Sequence, residues 1–583
     1  MKNHLSRPIS FIPFKKELKR YHFSTLKQDL LASLSVALLA IPQAIAYSLL
    51  AGLPPIAGFY SAIFGTIFAS AWGSSRHLVS GPTTGVAILL QTTVADVIQK
   101  NYPGASISDE GLVLQILMHI IFVIGAVQIF SAFFNVGKLL QFVSRSVVLG
   151  YFAGVALAII ANQMYYFTGV ELGDNNTLIF RASYFLTHIR EVQLGPFILG
   201  SIAIGFLFFF KKKLPRVPDA LLTLILAGGL AYCINEFLPE LFKVKTLKDV
   251  IDVGSPRFEF GLPYLKFKVL SEVFLSSVAI SFVAILEVFS VSRNLASKSG
   301  QNIYSNQEVF GLGISNLFLA FFPFAIPASG SASRSSLNFL SGAKTRFASI
   351  YSGIFVAIII FIFWPLVKLI PLSALAALLL LTTFNIVNLE NIKLCFRATK
   401  GDAFVFCLTM SSCLVFDLDL AFFIGIVISL IFYLKKSAEP HQVEYAFNTA
   451  GRLTVVSATE NVHRKIRIIG VSGELFFGTV DLFQNTMRTI AKDTHVRAIV
   501  LRLTGVYHMD ASMCLAILKV HEYLQATNRH LLISGITDEV WKIFHRTQVV
   551  KTIGTENLFV SEEANPQLST WKACLRAQDL VSS

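Results

Sequence analysis

Three polar features interrupt a very apolar chain and could do chemistry there. VSGPTTG (79–85) breaks one hydrophobic stretch with Gly81 and Pro82, and IPASGSASRSSLN (326–338) breaks another with Pro327 and Gly330 before a serine-rich helix start. Glu287 lies mid-segment in SFVAILEVFSV. A helix that begins inside a membrane presents unpaired N–H groups and the positive end of its dipole, and two such ends converging on one point suit an anion. A carboxylate among Ile, Leu, Val and Phe could bind and release a proton during a transport cycle.

The elements that must position these features follow from composition. With 583 residues, 54% hydrophobic, 14% charged and 52 Phe, the chain has more apolar surface than a soluble globule could bury, so it reads as a polytopic membrane protein. The net charge of +14 does not point to nucleic acid, because Lys and Arg are spread over short loops between apolar runs. The six cysteines (233, 395, 407, 413, 514 and 574) form no C-x-x-C pair and read as packing residues, with no disulfide frame and no metal site.

Apolar segments fall near 30–50, 56–72, 86–98, 112–134, 138–167, 193–210 and 219–238, then 271–292, 307–325, 332–340, 347–370, 372–388, 402–416 and 418–434. That predicts fourteen crossings as seven plus seven. The first 29 residues carry Lys2, Arg7, Lys15, Lys16, Lys19, Arg20 and Lys27 against Glu17 and Asp29, a basic terminus expected in the cytoplasm. Leu30–Leu50 is too long for a signal-peptide core and leads to no convincing cleavage site.

If every segment crosses, the loops holding Arg76, Lys138, Arg145, KKKLPR (211–216), Arg293, Lys298, Lys344, Arg346, Lys393, Arg397, Lys400, Lys435 and Lys436 share one side. The mixed loop 239–270 is the exception. From Val86 to Ile98 a helix rises only about 20 Å against roughly 30 Å of hydrocarbon, so the third segment must cover part of its path as extended chain beside a cavity. The tenth has the same grammar at a matching position, as expected of inverted repeats with paired broken helices. Arg334, at the start of the tenth helix, faces a cavity or partner at membrane depth, or belongs to the basic loop with Lys344.

AIPQAIAYSLLAGLPPIAGFYSAIFGTIFASAWGSSRHLVSGPTTGVAILL (40–90) resembles the signature region of the SulP family, the sulfate permease or solute carrier 26 anion transporters. ILEVFSVSRNLASKSGQNIYSNQEVFGLGISNLF (285–318) and SGSASRSSLNFLSGAKT (329–345) resemble it as well. The resemblance implies an α-helical membrane fold of fourteen segments, with a core (1–4 and 8–11) and a gate (5–7 and 12–14), moving as an elevator within a homodimer. It implies an anion between the third and tenth segments, touched by Gln43, Tyr47, Thr83, Thr84, Ser331, Ser333 and Arg334. Gln43 beside Pro42 has a second reading as repair of a kinked backbone, and Tyr47 as packing. The resemblance associates an acidic Glu287 with H+ or Na+ coupling; a permanent Glu287–Arg334 pair is the competing reading.

After Lys436 the pattern changes to alternating short strands and helices, a small α/β domain. Residues 437–462 read as a polar linker with a short strand, GRLTVVSAT, and 463–583 as a domain resembling the STAS domain, expected with the amino terminus in the cytoplasm. In LTGVYHMDASMCLAIL, Asp510 and Ser512 match the Asp-x-Ser turn whose serine is phosphorylated in soluble STAS proteins, but Met513 replaces the usual Gly. Asp510 reads equally as a helix N-cap.

The sequence thus points to a secondary anion transporter in a plasma or inner membrane, with domains 1–29, 30–436, 437–462 and 463–583. Its expected partners are a sulfate-, bicarbonate- or dicarboxylate-type anion, the bilayer and a second copy. An uncoupled exchanger or channel is the alternative, and a regulator with a vestigial transport domain a third reading. Beyond a coupling ion no cofactor is expected, and no nucleophile-base constellation, phosphate loop or metal spacing suggests an enzyme.

Overall fold

The computed structural model describes residues 9–582 apart from 19–20, 103–108, 136–142, 172–177, 215–217, 238–241, 251–259, 262–264, 439–440, 449–450, 457–463, 563–564 and 566. Of the charges used to orient the chain, Lys2, Arg7, Lys19, Arg20, Lys138 and Arg216 lie outside the described residues, as do parts of the 239–270 loop and the 437–462 linker. The chain divides into two compact units, Met1–Ser429 and Leu430–Ser583.

Each expected membrane segment has its helix: α1 (Phe23–Leu50), α2 (Pro55–Trp72), α3 (Thr84–Asn101), α4 (Glu110–Phe133), α5 (Arg145–Thr168), α6 (Leu194–Lys213) and α7 (Asp219–Phe237). The second set is α8 (Phe267–Ser299), α9 (Ser305–Leu319), α10 (Ala332–Leu340), α11 (Phe347–Val367), α12 (Leu372–Ile386), α13 (Lys400–Val415) and α14 (Leu418–Ser437). Among the described residues, 10 helical spans are long and apolar enough to cross a membrane. The elements outside that set are α3, α9, α10 and α13. Short helices at Leu178–Thr187 and Leu389–Ala398, which no hydrophobic run announces, lie between crossings.

The two broken crossings are joined where their helices start. β1 (Ser80–Gly81) and β2 (Ser329–Gly330) pair antiparallel, Ser80 with Gly330 and Gly81 with Ser329. The pairing satisfies backbone that would otherwise be stranded inside the bundle, and nearby side chains complete the work. Thr66 Oγ1 donates to Ser80 O at 2.5 Å, and Ser335 Oγ accepts from Val79 N at 2.8 Å. Asn316 Oδ1 accepts from Ala328 N at 2.6 Å while its amide donates to Ala328 O and to Gln128 Oε1.

α3 has 18 residues, rising about 27 Å, more than the apolar window suggested. Thr92, Thr93, Asp96 and Lys100 hide its second half from a hydropathy reading. α8 runs on to 33 residues and stops at Gly300, whose φ of +69° provides the left-handed turn that closes a helix.

At the end of the bundle where the chain enters, polar side chains lock its start against later loops. Asp29 accepts from Lys344 N, Thr345 N and Thr345 Oγ1. Glu17 pairs with Arg346 at 2.9 Å, and Glu308 accepts from Ser74 N and Ser75 N.

The carboxy-terminal unit holds β3 (His441–Phe447), β4 (Leu453–Val455), β5 (Ile466–Leu475), β6 (Ala498–Met509), β7 (His530–Ile536) and β8 (Leu558–Val560). They form one sheet in the order β4-β3-β5-β6-β7-β8, antiparallel from β4 to β5 and parallel beyond. The helices α15 (Val480–Ala491), α16 (Ala511–Ala526), α17 (Asp538–Arg546) and α18 (Leu568–Ser582) accompany it. β4 falls on the short strand expected in GRLTVVSAT, whereas β3 falls in the part that reads as polar linker, so the sheet starts earlier than composition suggests.

Candidate functional site

α3 and α10 start beside the β1–β2 pair, and their first turns meet at the inner end of one cavity of about 1520 Å³. Thr83 is the N-cap of α3 in extended backbone, but its hydroxyl does not cap the helix. It donates to Glu287 Oε2 instead, at 2.9 Å. The first-turn N–H groups of α3 therefore have no side-chain cap, as an anion site requires. At α10 the N-cap is Ser331, whose Oγ accepts from Arg334 N at 3.4 Å.

Gln43, Tyr47, Thr83, Thr84, Glu287, Ser331 and Ser333 all line this cavity. Gln43 Nε2 donates to Ser333 Oγ at 3.2 Å, so α1 contacts α10 directly. Gln43 Oε1 has no hydrogen-bond partner, and the Tyr47 hydroxyl lies beside that of Thr84. Glu287 binds both broken crossings at once: besides Thr83, Ser329 Oγ donates to its Oε2 at 2.5 Å. Gly85 provides the room, since a Cβ there would stand 2.8 Å from Glu287 Oε1.

Arg334 is placed differently from the rest. It is 1% exposed and absent from the cavity wall, lying against β1 with Nη2 donating to Pro82 O at 2.7 Å. It forms no ion pair with Glu287, and its Nε has no hydrogen-bond partner. Among the described residues it pairs with no carboxylate, an arrangement that is costly for a buried guanidinium.

The cavity extends toward one end of the bundle. Its outer wall is made by Arg145 at the start of α5, Lys211 near the end of α6, Asp219 at the start of α7, and Arg293, Asn294 and Ser297 near the end of α8. In a chain that alternates direction, those ends share the side of the amino terminus.

The sequence model of the sulfate permease family matches residues 26–409, nearly all of the membrane unit. The chain belongs to the sulfate permease family. It is therefore an anion transporter by family, and the kinship expected from segments 40–90 and 285–345 is the one found. A STAS domain matches residues 457–564.

Among curated sulfate permease relatives, sulfate transporter 4.1, chloroplastic, of Arabidopsis thaliana is 26% identical over 573 residues, covering 94% of this chain and 81% of the relative. Human solute carrier family 26 member 6 is 23% identical, covering 79% and 62%. Murine solute carrier 26 family member A9, an anion transporter solved in the inward-facing state, has the same fold with a TM-score of 0.86 at 19% identity over 99% of this chain and 96% of that one. The transmembrane domain of the cyanobacterial bicarbonate transporter BicA gives 0.59 at 19% identity over 70% and 98%.

In the carboxy-terminal unit Asp510 accepts from Met513 N at 2.9 Å and from Phe477 N at 2.8 Å, capping α16 and holding the preceding turn. Ser512 is half-buried in the first turn of α16. Sequence reasoning did not single out Ser329, Asn316, Ser335 and Gly85. Ser329, Ser335 and Gly85 lie inside the two broken motifs, whereas Asn316 lies outside them.

Proposed function

We propose that the chain is a secondary active transporter taking sulfate as its leading substrate, coupled to H+ with Na+ as the competing ion. The observation that carries this is the position of Glu287, which accepts hydroxyls from Thr83 and Ser329 beside both helix starts and faces the cavity. The curated sulfate transporters among its relatives support the choice of anion. Bicarbonate and dicarboxylates remain within the chemistry of a pocket of hydroxyls and N–H groups.

Coupling follows from charge. With Glu287 ionised, an anion entering between Thr83 and Ser331 meets a carboxylate; with Glu287 protonated, it meets two helix N-termini backed by Arg334. Proton and anion then favour each other's binding by the same factor, as linkage requires. Gln43 and Tyr47 complete the wall, and Thr84 and Ser333 offer hydroxyls. The cavity opens on the side of the basic loops, which by their charge face the cytoplasm, so the arrangement is inward-facing. Motion of the α1–α4 and α8–α11 core against the rest, within a homodimer in the plasma or inner membrane, would carry the site across. Ser512 is the candidate for regulatory phosphorylation beside the Asp510 cap.

Uptake of labelled sulfate, bicarbonate and dicarboxylates by reconstituted full-length protein, with and without pH and Na+ gradients, tests this. Accumulation is expected only with a gradient. Indifference to both gradients would support uncoupled exchange instead. Thr83→Val is expected to weaken sulfate binding, and unchanged affinity would show that the pocket lies elsewhere.

A further inference from the structure

Glu287 is not the only polar side chain that α8 turns toward the cavity. Ser290, Arg293, Asn294 and Ser297 line the same space, and at spacings of three and four residues they share one helix face with it. From Glu287 to Ser297 that face climbs about 15 Å, from the inner end to the mouth.

Arg293 is held there in a particular way. Its guanidinium carbon lies 5.3 Å from the centroid of the Phe289 ring, one turn back, and Phe289 is only 5% exposed. Arg293 makes no ion pair among the described residues. A fixed aromatic face positions the cation without neutralising it. The carboxylate of Asp219, on the same cavity wall, accepts from Ala220 N at the start of α7.

We propose that Arg293, seated over Phe289, is a second anion subsite in the vestibule, which holds an oxyanion on its way between the mouth and the inner site. The proposal rests on the reading of the cavity as the anion path. A guanidinium presents a planar fork that engages two oxygens of a sulfate or carboxylate together, whereas a halide offers a single centre. The subsite therefore concentrates anions near the mouth and selects oxyanions over chloride. Being exposed, its pull is sensitive to ionic strength.

The test uses full-length protein in phosphatidylcholine vesicles, which carry no net-anionic lipid to compete, with labelled sulfate supplied separately to the vestibule face and to the opposite face. Arg293→Gln is expected to raise KM on the vestibule face roughly three- to tenfold at low ionic strength, leaving the opposite-face KM unchanged. The difference should shrink as an impermeant salt is added. Arg293→Lys should keep the salt dependence and lose the preference for sulfate over chloride. An unchanged vestibule-face KM in Arg293→Gln, or an equal change on both faces, would overturn the subsite while leaving transport intact. Wild-type vesicles that take up no anion would overturn the transport reading and the subsite with it.

Discussion

Gly81 and Arg334 stand so close that each dictates the other: a Cβ on Gly81 would lie 2.7 Å from Nη1 of Arg334. Gly81 also has a φ of +146°, a conformation that side-chain-bearing residues avoid. Gly81→Ala is expected to displace either β1 or the guanidinium at a cost of about 1–3 kcal/mol. Sulfate uptake should fall at least tenfold in protein that still reaches the membrane, measured in vesicles at matched protein content. Near-normal uptake would mean that the Arg334 position is irrelevant to the site.

Arg334→Ala removes the buried cation and leaves Pro82 O without its donor. Anion affinity measured by calorimetry is expected to fall roughly ten- to hundredfold, and Arg334→Lys, which keeps the charge but not the fork, should fall between. Equal affinity in all three would detach the positive field from binding.

A different cluster closes the far end of the bundle. Ser276 Oγ donates to Asp419 Oδ2 at 2.6 Å, and Lys100 Nζ lies 4.0 Å from Asp417 Oδ2 in the turn between α13 and α14. Burial, and then the charges of Asp96 and Asp419, push the Asp417 carboxyl above its usual range, against the opposing pull of Lys100. A carboxyl pKa raised by folding means that the folded state takes up the proton more readily than the unfolded chain, so stability rises as pH falls through the folded pKa and levels off below the unfolded one. Thermal unfolding should show wild type gaining about a degree relative to Asp417→Asn as pH falls from about 7 to about 4, a small shift because the side chain is 53% exposed. A relative loss in acid would reverse the sign.

Asp510 gives a separate handle on the carboxy-terminal unit. Asp510→Ala removes acceptors for Met513 N and Phe477 N and is expected to cost roughly 1–2 kcal/mol. Hydrogen exchange in the full-length protein should quicken in the first turn of α16 and at Phe477. Unchanged protection at both would assign the capping to other groups.

Much of this arrangement was legible in the sequence because membrane burial restricts what may be polar. Gly81, Pro82 and Gly330 announced broken helices, and Glu287 stood alone in an apolar run. What composition could not supply was partnership. That Ser80 pairs with Gly330, and that Ser329 and Thr83 turn to one carboxylate, are contacts between distant segments with no local signature. Arg334 shows the limit most clearly: its type and position marked it, but whether it lines the cavity or backs it depends on a bond to Pro82 O. β3 was overlooked because its partner strand, β5, lies beyond a polar stretch.

The proposed joining of proton and anion at Glu287 is probed most directly by sulfate accumulation driven by an inward proton gradient, compared between wild type and Glu287→Gln. Wild-type vesicles are expected to concentrate labelled sulfate while the gradient lasts, and Glu287→Gln vesicles to exchange sulfate without concentrating it. Gradient-driven accumulation by Glu287→Gln at the wild-type level would contradict the role of Glu287 as the coupling group.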